Sequence, residues 1–303
     1  MRFAIQILFI VMFLLSMTSC FEEDEKLPPY ESNVELYEIP YNVYTTNVYF
    51  DLSSAEIISY HENDAWDIAF QTGENDHRII VNSSDLLQLA NVGSISFENC
   101  TALSGEEVWK YDASSGIADS SATGIWVDTT NSTKQYSNNL YLLGKENGLS
   151  FEVIQKIQFI HVDQTHYKIL HGSLQSIIPD TLIIEKDTTY NFVGFSFRNG
   201  NVLVNFEPPK NDWDIVFKQY LSTLYTTDGI ATPYSVRGVI INTSKVEVAR
   251  DTSSNFEMFT PLIQSYEYSS RWDFIGWEWK DVTVDEASNT AVYKADPTQI
   301  FLI

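Results

Sequence analysis

Two histidines flank a short polar segment near the middle of the chain, and their spacing would permit metal chemistry. His161 and His166 lie on either side of Asp163-Gln164, and residues 151–162 and 165–170 have the composition of two strands of a β-hairpin. A two-residue turn at Asp163-Gln164 would place His161 opposite His166, with Cβ atoms about 4.5 to 5.5 Å apart. Two imidazoles at that separation can share a metal ion or respond to pH.

The pair is either a metal-binding site or two exposed histidines at a hairpin tip, and the sequence leaves both interpretations open. His171 does not extend the site, since it lies five residues after His166. On a straight strand that offset directs its side chain to the opposite face, about 17 Å away. The metal-site prediction is therefore restricted to His161 and His166.

The chain lacks the short motifs of common catalytic sites. It has no His-Glu-x-x-His zinc motif, no Gly-x-Ser-x-Gly elbow, no phosphate loop and no dinucleotide-binding glycine signature. Cys100 has no neighbouring base in residues 97–99, which favours a buried apolar role over a nucleophilic one. We therefore predict a binding protein and not an enzyme.

The first residues have the composition of a bacterial lipoprotein leader. Arg2 precedes an apolar run at 3–15, and a short stretch of small residues leads into Cys20, so residues 1–19 are predicted to be a signal peptide. We expect lipidation at Cys20; the alternative is ordinary secretory cleavage beside an unrelated cysteine. Since each buried CH₂ contributes about 0.8 kcal/mol, several acyl chains would hold the protein at a membrane.

The segment after the leader is acidic and then rich in proline. Residues 20–44 begin with an acidic run and continue with prolines, a composition that favours a tether over a packed element. The whole chain has a net charge of −23, and loss of Arg2 with the leader makes the mature protein more negative. Nucleic acid is excluded as a partner, because phosphate binding needs lysine and arginine.

One pentapeptide occurs twice. WDIAF at 66–70 returns as WDIVF at 213–217, and the flanking segments match in the same order, namely 50–58 with 195–203 and 79–84 with 239–244. In each block the large apolar residues alternate with the others, which predicts Trp66, Ile68 and Phe70 on one core-facing side of a strand. Asp67 and its counterpart are expected to be structural hydrogen-bond acceptors, and the tryptophans core residues or, alternatively, ligand-stacking residues.

The remaining pattern is that of β structure. Aromatic residues reach 14%, apolar runs are short and bounded by Asn, Asp, Ser and Gly, and only residues 84–91 could form a helical turn or two. We predict an all-β protein of two similar antiparallel, sandwich-like units with few or no helices. The expected division is a signal peptide at 1–19, a tether at 20–44, a first β unit at 45–145, a connecting hairpin region at 146–190 and a second β unit at 191–303.

Several motifs of the second half share an aromatic and β-branched character: NDWDIVF at 211–217, YSVRGVIIN at 234–242 and IGWEWK at 275–280, closed by Tyr293 and Phe301. In these motifs the chain resembles the HmuY family of haem-binding lipoproteins from Bacteroidetes, and residues 49–144 resemble it more loosely. The acidic run after Cys20 also resembles the signal that exports such lipoproteins to the outer face of the outer membrane; the alternative is a solvated spacer.

This resemblance implies a lipid-anchored, cell-surface-exposed protein of the outer membrane that captures haem and delivers it to an outer-membrane uptake receptor. In the family the iron is held by two axial side chains, a His pair or Met. After His171 the chain has no histidine, and Met258 is its only methionine there. Met258 is thus one haem-ligand candidate, with an ordinary core methionine as the alternative, and Tyr225 and Tyr234 are candidates for the second ligand.

Two classes of function are open on this basis. The first is non-covalent capture of haem or a related ligand. The second is a surface adhesion or glycan- or protein-binding module on the same scaffold. Capture needs a concave apolar pocket with converging ligands, whereas adhesion or glycan binding would use exposed aromatic side chains.

Overall fold

The computed structural model describes residue 39 and residues 45–130, 134–147, 150–252, 266–285 and 290–303. Residues 41–303 form one compact unit. The predicted signal peptide and Cys20 lie outside the described residues. Within the described ranges, no helix has the length and apolar character needed to cross a membrane.

Antiparallel strands and a few short 3₁₀ turns make up the described part of the chain, so the all-β prediction is confirmed. The strands, numbered in chain order, are β1 Thr46–Asp51, β2 Glu56–Glu62, β3 Ile68–Gln71, β4 Ile79–Val81, β5 Leu87–Asn91, β6 Trp109–Lys110, β7 Val127–Asp128, β8 Gln135–Tyr136, β9 Leu140–Asn147, β10 Ser150–Val162, β11 His166–Gly172, β12 Asp180–Glu185, β13 Phe192–Ser196, β14 Val202–Val204, β15 Ile215–Tyr225, β16 Ala231–Ile241, β17 Ala249–Asp251, β18 Lys280–Asp285, β19 Thr290–Ala295 and β20 Ile300–Leu302. The 3₁₀ turns are Ser83–Asp85, Phe97–Asn99 and Ala118–Ser120.

Strands from the two halves pair with each other. The first sheet has the order β16-β15-β1-β2, and the second sheet has the order β14-β13-β3-β4. Each sheet therefore joins a hairpin of residues 45–145 to a hairpin of residues 191–303. Phe50 pairs with Ile215 in the first sheet, and Phe195 pairs with Ile68 in the second. Strands of residues 45–145 and strands of residues 191–303 therefore share both the first and the second sheet.

A six-stranded third sheet, in the order β12-β11-β10-β9-β5-β6, covers one face of the second sheet. Side chains of both sheets form the largest apolar cluster, in which Ile68 and Phe70 meet Leu89, Phe159 and Ile169. All five are at most 2% exposed, and burying a side chain of this size contributes about 1.5 to 3 kcal/mol. The β10–β11 hairpin is part of this sandwich. The remaining small sheets are β17-β20, β18-β19 and β7-β8.

The predicted common face of Trp66, Ile68 and Phe70 is wrong for the tryptophan. Ile68 and Phe70 belong to the large apolar cluster, whereas Trp66 packs in another cluster together with Ala69. The reason is local: β3 begins at Ile68, so the alternation of a strand does not extend back to Trp66.

The second block deviates in the same way. Trp213 packs against Val216 and Tyr49, because β15 begins only at Ile215. Both tryptophans are nevertheless buried, Trp66 at 2% exposure and Trp213 at 4%. The expected core position of the tryptophans is confirmed, although the strand face was assigned incorrectly.

The aspartates of the two blocks form hydrogen bonds between the two halves of the chain. Asp67 Oδ2 accepts hydrogen bonds from the backbone N–H of Phe197 at 2.7 Å and of Arg198 at 3.0 Å. Asp214 Oδ2 accepts one from the backbone N–H of Leu52 at 2.7 Å. They are structural acceptors as predicted, and their partners lie in the opposite half of the chain.

Candidate functional site

The β10–β11 hairpin was predicted correctly, but its register was not. Val162 pairs with Tyr167, and His161 pairs with Lys168 after an irregularity in β10. The loop is longer than two residues because Asp163 Oδ1 accepts hydrogen bonds from the backbone N–H of Thr165 at 2.7 Å and of His166 at 2.8 Å. An aspartate that binds backbone N–H groups in this way builds its own turn.

The longer loop still brings the two histidines together. The ring centroids of His161 and His166 are 5.8 Å apart, and Asp163 adds a carboxylate. Asp163 Oδ2 lies 3.6 Å from His161 Nε2 and 3.1 Å from His166 Nδ1, and one ligand atom from each of the three residues falls within 4.8 Å of the others. Two imidazoles and a carboxylate are a ligand set that iron and other divalent transition metals accept.

Tyr136 orients the ring of His161. Its hydroxyl donates to the carbonyl oxygen of Val162 at 3.1 Å and lies 3.0 Å from His161 Nδ1. The hydroxyl donates to Nδ1 in one tautomer of His161 and accepts from Nδ1–H in the other; the second tautomer leaves the lone pair that a metal ion needs on Nε2. That nitrogen faces Asp163, and a hydrogen bond on the far nitrogen is how metal-binding histidines are oriented.

Asp163 carries a negative charge across the physiological pH range. Burial opposes ionisation, but hydrogen bonds from the backbone and hydroxyl of Thr165 and from the backbone of His166, with a smaller contribution from the His166 charge, hold the pKa of Asp163 well below its usual range. All three side chains are partly exposed, between 32% and 44%. A metal ion can reach the hairpin tip from solvent.

The positions of His161, Asp163 and His166 decide in which way these residues can bind iron. A haem with two imidazole ligands takes them at its two axial positions, which requires the macrocycle to lie between the rings. Asp163 Oδ2 lies close to both His161 and His166 and occupies that space. The three residues fit a single metal ion or one axial position of a haem iron, and they do not fit a haem held between the two imidazoles.

The other histidine of this region is excluded from the site, as predicted. His171 is 8% exposed, lies 3.0 Å from Gln155 Nε2 through its Nδ1, and packs against the ring of Phe197 at 5.4 Å. Burial lowers its pKa. His171 is a core residue of the third sheet.

The two tyrosine candidates do not converge. Tyr225 and Tyr234 lie near the tip of the β15–β16 hairpin, exposed to 72% and 58%. Tyr225 pairs with Ala231, and Tyr234 pairs with Ser222. Directly paired residues share a face and neighbouring positions alternate, so Tyr225 and Tyr234 project from opposite faces of the hairpin. They cannot both ligate one iron in this arrangement. Met258 lies outside the described residues.

A second candidate site lies in the cleft between the first and second sheets, and no sequence motif marked it. The cavity measures about 150 Å³ and is partly open to solvent. Both halves supply its wall, with Trp66 and Arg78 from the first and Trp213 and Lys218 from the second. Trp66 and Trp213, the tryptophans of the repeated blocks, thus line this cavity as well as packing in the core.

Three ionisable side chains that line the cavity have pKa values shifted from their usual ranges. Burial raises the pKa of Glu207 to about 7, although two backbone N–H groups and Lys218 oppose the shift. Burial lowers the pKa of Lys218 to about 8, against the charge of Glu207. Burial also raises the pKa of Asp112 to about 6, opposed by backbone hydrogen bonds and by Arg78. Several groups of this cavity therefore titrate near neutrality.

Part of the chain, including the β10–β11 hairpin tip, matches a known family. Residues 43–169 match the family model described as HmuY protein, a range that contains His161, Asp163 and His166. No curated protein and no solved structure matches the chain. The matched range lies in the first half and the hairpin, whereas the sequence motifs gave the closer likeness to the second half. The resemblance of the chain to the HmuY family is confirmed over residues 43–169.

Proposed function

We propose that the protein is a non-enzymatic surface lipoprotein of the HmuY type that captures haem or a related ligand for delivery to an uptake receptor. The family match over residues 43–169 supports binding as the activity. The proposal includes lipidation at Cys20, anchoring in the outer membrane and exposure at the cell surface, all of which rest on the sequence pattern of residues 1–44.

The convergence of two imidazoles and a carboxylate at the β10–β11 tip is the observation that carries this proposal. His161 would hold the iron through Nε2, because Tyr136 contacts Nδ1 and Nε2 is the nitrogen that faces Asp163. Asp163 and His166 lie beside that nitrogen and would hold a bare metal ion together with it. When bound, haem would supply the iron that these side chains recognise. Met258, Tyr225 and Tyr234 stay candidates for a further ligand.

Titration of the mature protein with haemin tests the proposal. A shift of the Soret band is expected on binding, and H161A should weaken or abolish it. H77A is the matched control, since His77 is a partly exposed histidine outside the hairpin. Absence of a Soret shift under both oxidising and reducing conditions would refute haem capture. A shift that persists in H161A and disappears in Met258→Ala would assign the ligand to Met258 instead.

The exposed β15–β16 tip supports a second candidate function, adhesion or binding of a glycan or protein. Tyr225, Ile230 and Tyr234 are exposed to 72%, 63% and 58%, and exposed aromatic residues are frequent in binding surfaces. The double variant Y225S/Y234S should abolish cell or glycan-array binding, and circular dichroism should show an unchanged fold. Retained adhesion in that variant would exclude the tip as the adhesive surface.

A further inference from the structure

Three hydrogen-bond donors on the wall of the inter-sheet cavity have no acceptor among the described residues. The indole N–H of Trp213 is buried without a hydrogen-bond partner. In the part of the chain that the structure describes, neither the Arg78 guanidinium nor the Lys218 ammonium makes a hydrogen bond or a contact ion pair. Of these groups only the indole N–H is fully buried, and a buried donor without an acceptor calls for a physical explanation; Arg78 and Lys218 are half-buried.

The acids of the cavity do not satisfy these donors. Glu207 Oε1 accepts hydrogen bonds from the backbone N–H groups of Asn191 at 2.6 Å and Phe192 at 2.9 Å. Asp112 is likewise held by backbone N–H groups, with Ala122 at 2.7 Å. The cations influence these carboxyl groups only through space. The donor hydrogens of Arg78 and Lys218 therefore remain available to an anionic group in the cavity.

One part of the wall is aromatic. The rings of Trp66 and Phe206 stack with centroids 4.4 Å apart and an interplanar angle of 21°. Arg78 lies over the ring of Trp272, 5.1 Å from its centroid, and Trp272 meets Phe192 edge to face at 5.6 Å. Such walls favour a flat apolar ring as ligand. An apolar cavity of about 150 Å³ is large enough to hold benzene.

We propose that this cavity binds a small aromatic carboxylate. Its ring lies against the wall formed by Trp66 and Trp272, and its carboxylate oxygens accept hydrogen bonds from Lys218, Arg78 and the indole of Trp213. Charge-assisted hydrogen bonds to a carboxylate are stronger than neutral ones, which gives the two cations of this wall a role in recognition. This site uses none of the hairpin residues and goes beyond haem capture.

Calorimetric titration of the mature protein with benzoate tests the proposal, with toluene as the uncharged probe of the same ring size. Benzoate is expected to bind with a dissociation constant at or below about 1 mM, and toluene more weakly. K218M and W213F should each weaken benzoate binding roughly tenfold or more. K168M is the matched control, because Lys168 is an exposed lysine of the third sheet, and its affinity should equal that of the wild type.

W213F keeps a six-membered aromatic ring and removes the pyrrole ring with its N–H donor, so its affinity for toluene measures the effect of the lost volume; circular dichroism verifies the fold of each variant. Equal affinity for toluene and benzoate would show that the cavity does not recognise the carboxylate, and this would overturn the proposal. Wild-type benzoate affinity in both K218M and W213F would also overturn it, as would an absence of binding at millimolar benzoate. H161A/H166A should bind benzoate normally, which keeps this result independent of haem capture.

Discussion

Asn82 donates a hydrogen bond from its side-chain Nδ2 to the carbonyl oxygen of Trp66 at 2.8 Å. Asn242 makes the same bond to the carbonyl oxygen of Trp213, also at 2.8 Å. Each asparagine is 1% exposed, and each also binds a carbonyl oxygen that precedes its tryptophan in the chain. The turn before each Trp-Asp strand is therefore closed by a side chain from the end of the neighbouring strand.

Replacing Asn82 by alanine should lower the free energy of unfolding by about 2 to 4 kcal/mol, since two buried carbonyl groups lose their donor. Asn242→Ala should have a similar effect, because its contacts are equivalent. Urea unfolding of each variant measures the change. The control is Asn75→Ala at an exposed position, where less than about 0.5 kcal/mol is expected. A loss no larger than that of the control would show that these asparagines do not close the turns.

The repeated blocks and their flanking matches could be identified from the sequence, because short-range alternation and identical order leave a readable pattern. Their pairing could not. The sequence places Phe50 and Ile68 in one unit, whereas Phe50 pairs with Ile215 and Ile68 pairs with Phe195. Pairing partners are a long-range property, and two similar hairpins can pair within a half or across halves with the same local pattern.

The candidate sites differ in the same respect. His161 and His166 could be predicted as neighbours because a hairpin is a local structure, and only the turn geometry set by Asp163 was missed. The cavity could not be predicted, because Arg78 and Lys218 are far apart in the chain and line one cavity only where strands of the two halves pair with each other. No local motif encodes such a site.

The ion pair between Asp67 and Arg198 joins the two halves of the chain, and its contribution to stability can be predicted. Arg198 Nε lies 2.6 Å from Oδ1 of Asp67, whose side chain has 0% exposure. R198M leaves that carboxylate buried without its cation and should cost about 3 kcal/mol in unfolding free energy. Arg271 supplies the control, since its ion pair with Asp273 is more than half exposed on the arginine side; R271M should cost at most about 1 kcal/mol. Equal losses of unfolding free energy in R198M and R271M would contradict a structural role for the ion pair between Asp67 and Arg198.

The raised pKa of Glu207 should make the free energy of unfolding depend on pH. Burial raises its pKa from 4.5 to about 7, so the folded protein retains the proton to higher pH than the unfolded chain. The stability contribution is fully present below pH 4.5 and is lost as the pH rises through about 7, a decrease on the order of 3 kcal/mol. E207Q keeps the acceptor oxygen for the two backbone N–H groups and removes this titration.

Unfolding free energies of E207Q and the wild type should therefore converge at about pH 5 and differ most at about pH 8, where E207Q is the more stable. E185Q is the matched control, because Glu185 is exposed on β12, and its pH profile should follow that of the wild type. Parallel profiles for E207Q and the wild type would show that Glu207 does not titrate near neutrality in the folded protein.

The hairpin tip should bind a divalent transition metal in the absence of haem. Calorimetry with Zn²⁺ on the untagged mature protein is expected to give one site, and H161A, H166A and D163A should each abolish it or weaken it strongly. Y136F keeps all three ligands but releases the His161 ring, so the affinity should fall by about 10- to 100-fold. H77A removes a histidine outside the hairpin and should leave the affinity unchanged. Zn²⁺ binding that is unaffected by both H161A and H166A would place the metal elsewhere, whereas a loss in H166A with no change in Y136F would show that the tyrosine does not orient the ligand.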